Sequence, residues 1–419
     1  MSTSRRQAPR RVRPFEKATI SKPAWMRALL GRDPSPSREE YEALVDALWD
    51  GDQPMDTLLD WMYEEGVSEM RGMFERALAS GIDAVPDAPQ PLRDFFAMID
   101  TQPAWLDKSL LDEGVRFTHR IGLAGPFILR DFALMGGYLL SGFNQALVLT
   151  GALNKGAGRR IAETGKWWMD CTDHNGLERF ADGFKTTLHV RFVHALVRRN
   201  LQNREEWDNE QWGLPVNQTD TVATYLAFGV VMLMGVRAMG IPVTQRESRA
   251  VMHLWKYASW LMGVEEKWLV DSERDGLVLL YQTYMTQSKP DWTSKELGRA
   301  LAEEPLSRKY PWQKKHPLLH KLLLKTLYHQ HLSTTSLFLN KEQRDSLGLP
   351  ANIKPWYPLL TAGPRFLMYT SGRFSEKRRK LLEERGRKAQ VWAMGTMKNK
   401  SKSGIIEPGK NHPAYVRSA

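Results

Sequence analysis

Apolar side chains recur along most of the chain at the three- and four-residue intervals that are typical of amphipathic helices. Tyr41, Leu44 and Leu48 follow this spacing, and Ser37 with Glu40 forms a capping box at the start of the same segment. No stretch sustains the apolar–polar alternation of a half-buried strand, and no Asn-Gly or Asp-Gly hairpin turn joins two apolar runs. The pattern therefore predicts an all-α fold.

The longest periodic segments define most of the predicted helices. They cover the ranges 132–153, 159–171, 177–200, 221–239, 248–262, 318–338 and 374–394. Two apolar runs, 133–151 and 222–236, are candidates for a transmembrane helix by their composition. Asn144 and Gln145 interrupt the first run and the second is too short. We therefore expect no transmembrane segment, and expect both runs to be helices buried on all sides in a large helical domain.

Composition and charge place these helices in one globular body with basic ends. The chain has 419 residues, of which 42% are apolar and 26% charged, enough for a full hydrophobic core. Its net charge is +11, but residues 1–22 and 376–419 hold nineteen Lys/Arg against five Asp/Glu, so the rest is nearly neutral. We expect an all-helical domain over 23–395 between solvated basic tails at 1–22 and 396–419. Without interleaved aromatic residues, the tails do not predict a specific nucleic-acid surface.

The cysteine content excludes two kinds of site, and the N-terminal sequence bears on the cellular location. The single cysteine, Cys171, excludes an internal disulfide framework and any CxxC-type metal site. Ser4-Arg5-Arg6-Gln7 is similar to the start of a twin-arginine signal, but the apolar stretch that such a signal needs does not follow it. We therefore predict a cytoplasmic protein.

The predicted helix 159–171 carries an unusual polar face. Arg160 and Thr164 are four residues apart and share this face, and Glu163 lies about 100° around the helix from Thr164. A purely structural interpretation pairs Arg160 with a nearby carboxylate and lets the Thr164 hydroxyl bond back to its own helix. A functional interpretation directs both side chains into one pocket.

The predicted helix 177–200 carries a histidine between two arginines. Arg191, His194 and Arg198 fall on one face of an otherwise apolar helix, and His189 lies off that face. Both arginines should lower the pKa of His194 and favour neutral imidazole, the form that binds a metal. No HExxH motif, short-spaced facial triad or cysteine cluster is present. One imidazole with flanking cations is consistent with a haem site, in which the imidazole nitrogen binds iron and the arginines bind the propionates. The alternative is that His194 is a structural histidine.

Fifteen tryptophans form another unusual feature of the sequence. Trp167, Trp168, Trp255 and Trp260 lie among apolar helical segments. They either fill the core or line a site for a large apolar ligand or a flat cofactor, and composition does not choose between the two.

These motifs together resemble the latex-clearing-protein (rubber oxygenase)/MpaB family. That family pairs an Arg-x-x-x-Thr helix with a histidine 30 residues after the threonine, and Thr164 and His194 have that spacing. Further points of similarity are the loop 212–218 and the apolar segments 254–257 and 261–264. The resemblance covers roughly residues 115–290.

The resemblance implies an all-helical, globin-like core that holds a b-type haem with His194 as the proximal iron ligand. It places Arg160 and Thr164 beside the haem pocket, where they would stabilise negative charge as dioxygen is reduced. Members of the family use O2 to cleave carbon–carbon double bonds in isoprenoid chains. The haem supplies the oxygen chemistry, and the protein supplies the axial ligand and a dry apolar channel.

Two departures from the rubber-cleaving pattern point away from a polymer. One rubber oxygenase carries a lysine before the threonine that is able to occupy the distal iron position, and here that residue is Glu163. Rubber enzymes also carry a carboxylate on the preceding helix, whereas residues 143–146 contain none. We therefore expect a smaller prenylated or otherwise apolar substrate, and iron held by one protein ligand. Glu163 borders the pocket in this interpretation and is a candidate base.

The leading hypothesis is a haem b-dependent oxygenase that oxidises or cleaves an unsaturated hydrophobic small molecule with O2. One alternative is a haem-binding sensor, carrier or peroxidase-like enzyme. Another is a cofactor-free helical interaction protein whose basic tails contact acidic partners or membrane surfaces.

Overall fold

The computed structural model describes residues 6–18, 24–151 and 157–397, and within these ranges the chain forms helices and no strand. The helices of seven or more residues begin with α1 (Ala24–Leu30), α2 (Arg38–Asp46), α3 (Gln53–Glu65), α4 (Val67–Ser80), α5 (Gln90–Asp100), α6 (Lys108–Arg120), α7 (Ala124–Gly137), α8 (Ser141–Leu149) and α9 (Ala157–Cys171). Those that follow are α10 (Asp182–Gln202), α11 (Gln218–Ala238), α12 (Gln245–Leu261), α13 (Glu273–Thr286), α14 (Trp292–Glu303), α15 (Pro317–Phe338), α16 (Trp356–Ser371) and α17 (Glu376–Met397). The all-α prediction is confirmed.

One predicted helix is wrong, because the segment 132–153 does not run straight. α7 ends at Gly137, α8 begins at Ser141, and the two helices meet at an angle of 100°. Two consecutive glycines end α7, and glycine is among the weakest helix formers. The Asn144 side chain then donates a hydrogen bond to the Tyr138 carbonyl at 2.8 Å, which stabilises the bend. The polar residues that interrupt the apolar run therefore help to form a corner.

The centre of the core is the packing of α12 along α6. A Cβ atom at Gly114 of α6 would lie only 2.6 Å from the Ala250 carbonyl oxygen of α12, so glycine permits the close approach. α17 packs on the other side of α6, where the Gln390 amide donates to the carbonyls of Thr118 and Gly122. The C-terminal helix is therefore part of the body of the fold.

The predicted N-terminal tail is wrong for residues 6–18, which pack against the domain. Arg11 is buried, and its guanidinium donates to the two carboxylate oxygens of Asp220 at 2.6 and 3.0 Å. It also donates to the Trp212 carbonyl. A buried arginine is stable here because the carboxylate compensates its charge. Residues 1–5, 19–23, 152–156 and 398–419, and with them the rest of both predicted tails, lie outside the described residues.

Helix α11 is long and apolar enough to cross a membrane, but it packs as a core helix. Among the described residues it is the one single helix that passes this test of length and composition; the bent pair α7 and α8 passes it only together. Within its most apolar window, 56% of the residues are buried inside the protein. Its first turn carries Asp220, the partner of Arg11. Most of the helix is therefore internal, but it is not buried on all sides as predicted, since Met234 is 38% exposed.

Candidate functional site

A large cavity lies between α7, α9, α10, α11 and α15. Its volume is about 1540 Å³, above the range of roughly 300–1,000 Å³ that is usual for small-ligand pockets. Apolar side chains form most of the wall, among them Leu129, Phe132, Ile161, Val190, Phe228 and Leu327. The space is therefore suited to a large apolar ligand or to two ligands together.

Two π-helical turns contribute to the wall of this cavity. They span Leu129–Leu134 in α7 and Ala227–Val231 in α11, and the two turns pack together. A π turn inserts an extra residue per turn and often marks a functional site. Here each turn contributes several wall residues, including Phe132 and Phe228.

His194 of α10 belongs to the cavity wall. Its side chain is enclosed by the protein, yet part of its surface stays accessible because it borders the empty space. No hydrogen-bond partner of this imidazole is found among the described residues. Burial lowers the pKa of His194 to about 4; nearby Arg198 acts in the same direction and Asp52 opposes it. The imidazole is therefore neutral at pH 7, with its ring available to a ligand in the cavity.

Arg160 and Thr164 of α9 also lie in the cavity wall, so the structure brings them together with His194 around one space. Within the described ranges Arg160 makes no ion pair, and the Thr164 hydroxyl makes no bond back to its own helix. The geometry therefore disfavours the structural interpretation of these two residues. A half-buried arginine without a carboxylate partner is a candidate binding group for negative charge.

Glu163 does not belong to the cavity wall. Its carboxylate accepts a hydrogen bond from Arg159 Nε at 2.8 Å, an i, i+4 pair on the outer side of α9. The sequence placed Glu163 at the border of the pocket as a candidate base; the structure turns it toward Arg159 instead, because the 100° step per residue carries it off the face of Thr164.

Arg191 and Arg198 point away from the cavity, which corrects their prediction as cofactor-binding residues. Arg191 donates to Asp52 from Nε at 2.5 Å and from Nη2 at 2.7 Å. Arg198 donates to Asp56 at 2.7 Å and to the Val216 carbonyl at 2.6 Å. Both guanidinium groups therefore bind residues at the start of α3, and that of Arg198 also binds the loop before α11. These hydrogen bonds join α10 to the segments packed against it.

The tryptophans divide between the two interpretations left open by the sequence. Trp255 is fully buried in the core. Trp167 borders the cavity, and its ring centroid lies 5.2 Å from that of Phe228 and 5.6 Å from that of Trp255. The Trp167 indole N–H donates to the Thr187 hydroxyl at 2.9 Å, which fixes the ring. One edge of an aromatic core cluster therefore forms a rigid flat wall of the site.

A second histidine of the cavity wall, His331 of α15, was not found by sequence reasoning. Its Nδ1 lies 2.8 Å from Asp131 Oδ2, and Asp131 also binds Arg130 at 2.5 Å. Burial lowers the pKa of His331 to about 4, with Arg130 nearby acting in the same direction. Its Nε2 is buried without a partner among the described residues. Asp131 and His331 are 200 residues apart, so the one local signal was a charged pair, Arg130-Asp131, beside an apolar run.

The donor set fits a metal held by a macrocycle better than a bare ion. Within the described residues, no three His, Cys, Asp or Glu side chains group closely enough to hold a metal ion. A macrocycle such as haem brings its own equatorial nitrogens and requires one axial imidazole from the protein. His194 lies in the wall of a large apolar cavity, is neutral and has no partner in the described part of the chain, and so meets that requirement.

Comparison with known proteins gives a consistent result. Residues 119–369 match the family model described as "ER-bound oxygenase mpaB/B'/Rubber oxygenase, catalytic domain", and the match includes Arg160, Thr164 and His194. The "Rubber oxygenase" of Streptomyces sp. (strain K30) is 24% identical over 199 residues, which are 46% of this chain and 47% of that protein. The chain therefore aligns with about half the length of this curated relative.

A solved structure shares the fold. It is described as "Structure of Latex Clearing Protein LCP in the closed state", with a TM-score of 0.63 and 19% sequence identity. The superposition covers 83% of this chain and 91% of that one. At this identity the likeness concerns the arrangement of the helices alone, and it extends well beyond the matched sequence.

Proposed function

This chain belongs to the family of MpaB and rubber oxygenase catalytic domains, as its sequence predicts, and from this membership we propose that it is a haem b-dependent oxygenase of an apolar, unsaturated small molecule. The family is one of oxygenases, which supports the use of O2. The single observation that carries the haem is His194, a neutral imidazole with no partner among the described residues, in the wall of a cavity of about 1540 Å³.

His194 would hold the haem as its one protein ligand to iron. When bound, the haem supplies the activation of O2. Since the pKa of His194 is about 4, the imidazole stays unprotonated, and thus able to bind iron, well below pH 7. Glu163 is engaged by Arg159 outside the cavity, which supports a site in which Glu163 is not a ligand to iron.

Arg160 and Thr164 provide the hydrogen-bond donors on the α9 side of the cavity. A guanidinium and a hydroxyl beside a mostly apolar wall would stabilise negative charge that develops on oxygen, because both donate hydrogen bonds. The rest of the wall around these two residues is mostly apolar. In this proposal both residues act on the reaction and contribute little to haem retention.

The shape and chemistry of the wall support an apolar substrate of modest size. Phe143 and Ala146 of α8 line the cavity, in the segment where rubber enzymes carry a carboxylate. The cavity must hold both haem and substrate, which favours a small prenyl-type molecule over a long polymer. The cytoplasmic location inferred from the sequence stays a prediction.

The test is haem stoichiometry. We expect the purified protein, titrated with haemin, to bind one haem and to show a Soret band and a b-type pyridine haemochrome spectrum. His194→Ala should abolish stoichiometric binding and keep its helical content. The matched control is His189→Ala on the same helix, since His189 contacts Glu75 and does not border the cavity. Full haem occupancy in His194→Ala would remove His194 from this role.

Oxygen consumption separates the oxygenase from the alternatives. The haem-loaded protein should consume O2 when a prenylated alkene is added. A haem protein that consumes none would be a sensor, carrier or peroxidase-like enzyme. A wild-type protein that binds no haem would be the cofactor-free interaction protein.

A further inference from the structure

The exposed apolar side chains of the described structure concentrate near its C-terminal end. Of the nineteen large hydrophobic side chains that are exposed, thirteen lie between residues 318 and 392. Six of these thirteen are leucines of α15 and α16 that are 56% to 82% exposed. We call these six residues the apolar patch: Leu318, Leu319, Leu322, Leu359, Leu360 and Leu367. Large exposed apolar patches on soluble proteins mark sites that bind another protein, a ligand or a membrane.

The face of α16 shows that this exposure follows the helical period. Trp356, Leu359, Leu360 and Leu367 fall at positions i, i+3, i+4 and i+11, so they share one face, and that face is turned to solvent. Pro358 is the only buried residue of α16. An apolar stripe that faces outward needs an apolar partner to cover it, such as another protein surface or the interior of a membrane.

The surroundings of the patch are strongly basic. Residues 314–380 contain thirteen Lys/Arg and three Asp/Glu, an excess close to the +11 of the entire chain. Lys321 and Lys325 are exposed beside the leucines of α15, and Lys354 is exposed just before α16. α15 and α16 are in contact, since the Tyr357 N–H donates to the Ser333 hydroxyl at 2.9 Å. Apolar and cationic groups are therefore combined on neighbouring helices.

We propose that the apolar patch and its lysines dock onto an anionic lipid bilayer, with the exposed face of α16 inserted among the headgroups. An amphipathic helix with apolar residues on one side and basic residues around it is the usual interfacial membrane element. The surface of an anionic bilayer also attracts lysines that lie within a Debye length of it.

Two other occupants fit less well. A second copy of this chain in a symmetric dimer would bring two such basic surfaces together, and like charges would oppose association. Residues 398–419 contain five Lys/Arg and one acidic residue, so this segment is also repelled by the basic surroundings. An anionic bilayer satisfies both the apolar and the electrostatic requirement.

The apolar patch lies on a helix that also forms part of the cavity wall. Leu322 of the patch is exposed, while Leu323 and Leu327 on the same helix line the cavity. α15 is therefore the wall between the docking surface and the site. If the proposed oxygenase function holds, an apolar substrate dissolved in the bilayer would reach the cavity past α15. Docking does not depend on that activity.

The test is flotation of the full-length protein with lipid vesicles. We expect binding to phosphatidylcholine vesicles that contain phosphatidylglycerol and little binding to phosphatidylcholine alone. Lys321→Glu/Lys325→Glu should weaken binding about thirtyfold or more, from the usual contribution of a lysine near an anionic surface. Leu359→Asp/Leu360→Asp should weaken it at least as much, and the high exposure of both leucines should preserve the fold.

Matched controls separate the patch from general charge and exposure. Lys17→Glu/Lys108→Glu makes the same change in net charge at exposed lysines elsewhere, and Trp292→Asp replaces an apolar side chain that is 61% exposed outside the patch. Both controls should bind like the wild type. The proposal is overturned if no vesicle is bound, or if the controls weaken binding as much as the patch variants.

Two further outcomes would identify another occupant. A lipid-free dimer that Leu359→Asp/Leu360→Asp dissociates, without vesicle binding, would make the patch an interface between copies. Vesicle binding lost after deletion of 398–419 but kept in both patch variants would assign the binding to that segment. Either result would overturn the proposal. Vesicle binding in a protein that takes up no haem would support docking and reject the proposed function.

Discussion

Replacement of His194 by leucine tests whether this histidine is a metal ligand or a structural residue, because the two roles predict opposite changes in the stability of the haem-free protein. A structural histidine would be held by hydrogen bonds, and its loss would destabilise the fold. His194 is partly buried and has no partner among the described residues, so in the haem-free protein its ring loses part of its hydration and gains no hydrogen bond in return. Leucine fills a similar volume and matches the apolar wall. We therefore expect His194→Leu to preserve or raise the stability of the haem-free protein while abolishing haem binding.

The magnitude follows from burial and from proton linkage. An unsatisfied buried polar group costs about 1–3 kcal/mol, so at pH 7 we expect the free energy of unfolding to rise by up to about 1 kcal/mol, allowing for the part of the ring that borders the cavity. The pKa of His194 is about 4 in the folded protein and about 6.5 in the unfolded chain. The unfolded chain therefore binds more protons between these values, and wild-type stability falls as the pH falls. Between pH 7 and 5 this one group accounts for about 2 kcal/mol, which the leucine variant does not lose.

Urea denaturation of the haem-free protein at pH 7 and pH 5 measures both effects. The advantage of His194→Leu over the wild type should increase by about 2 kcal/mol on acidification. His189→Leu is the control, since it removes the contact with Glu75 and should lower stability at pH 7. A His194→Leu protein that loses more than about 2 kcal/mol at pH 7, or keeps the wild-type pH dependence, would show that the fold itself holds this imidazole, and the reasoning would be refuted.

Three further predictions concern the other polar groups around the site. Arg160→Leu and Thr164→Val should each reduce turnover by about tenfold or more with haem content unchanged; equal losses of turnover and haem, measured by O2 consumption and haemochrome, would make them structural. Glu163→Gln should leave the resting visible spectrum unchanged because Glu163 pairs with Arg159; a six-coordinate low-spin spectrum that this substitution removes would contradict that. Arg191→Met should lower the free energy of unfolding, measured by urea denaturation, by about 3–5 kcal/mol, because it leaves the Asp52 carboxylate buried without its partner. A variant that loses haem but keeps its stability would show that Arg191 binds the cofactor.

The sequence by itself determined the helical class and the local geometry of the site helices. Helical periodicity is a property of neighbouring residues, so α9, α10 and α12 were predicted to within a few residues of their observed ends. The four-residue spacing of Arg160 and Thr164 placed them on one face for the same reason, and the family motif added His194. Each of these inferences depends on residues that lie close together in the chain or on a fixed spacing between two motifs.

Only the tertiary structure decided which partner each polar side chain meets. Arg191 and Arg198 share a helix with His194, but carboxylates 139 and 142 residues away turn them from the cavity. Asp131 and His331 meet across 200 residues, and Arg11 meets Asp220 across 209. Periodicity likewise identifies the apolar face of α16 but not its direction, because whether an apolar face meets the core or the solvent depends on the elements packed around it. Partner and direction depend on long-range packing, which no spacing along the chain encodes.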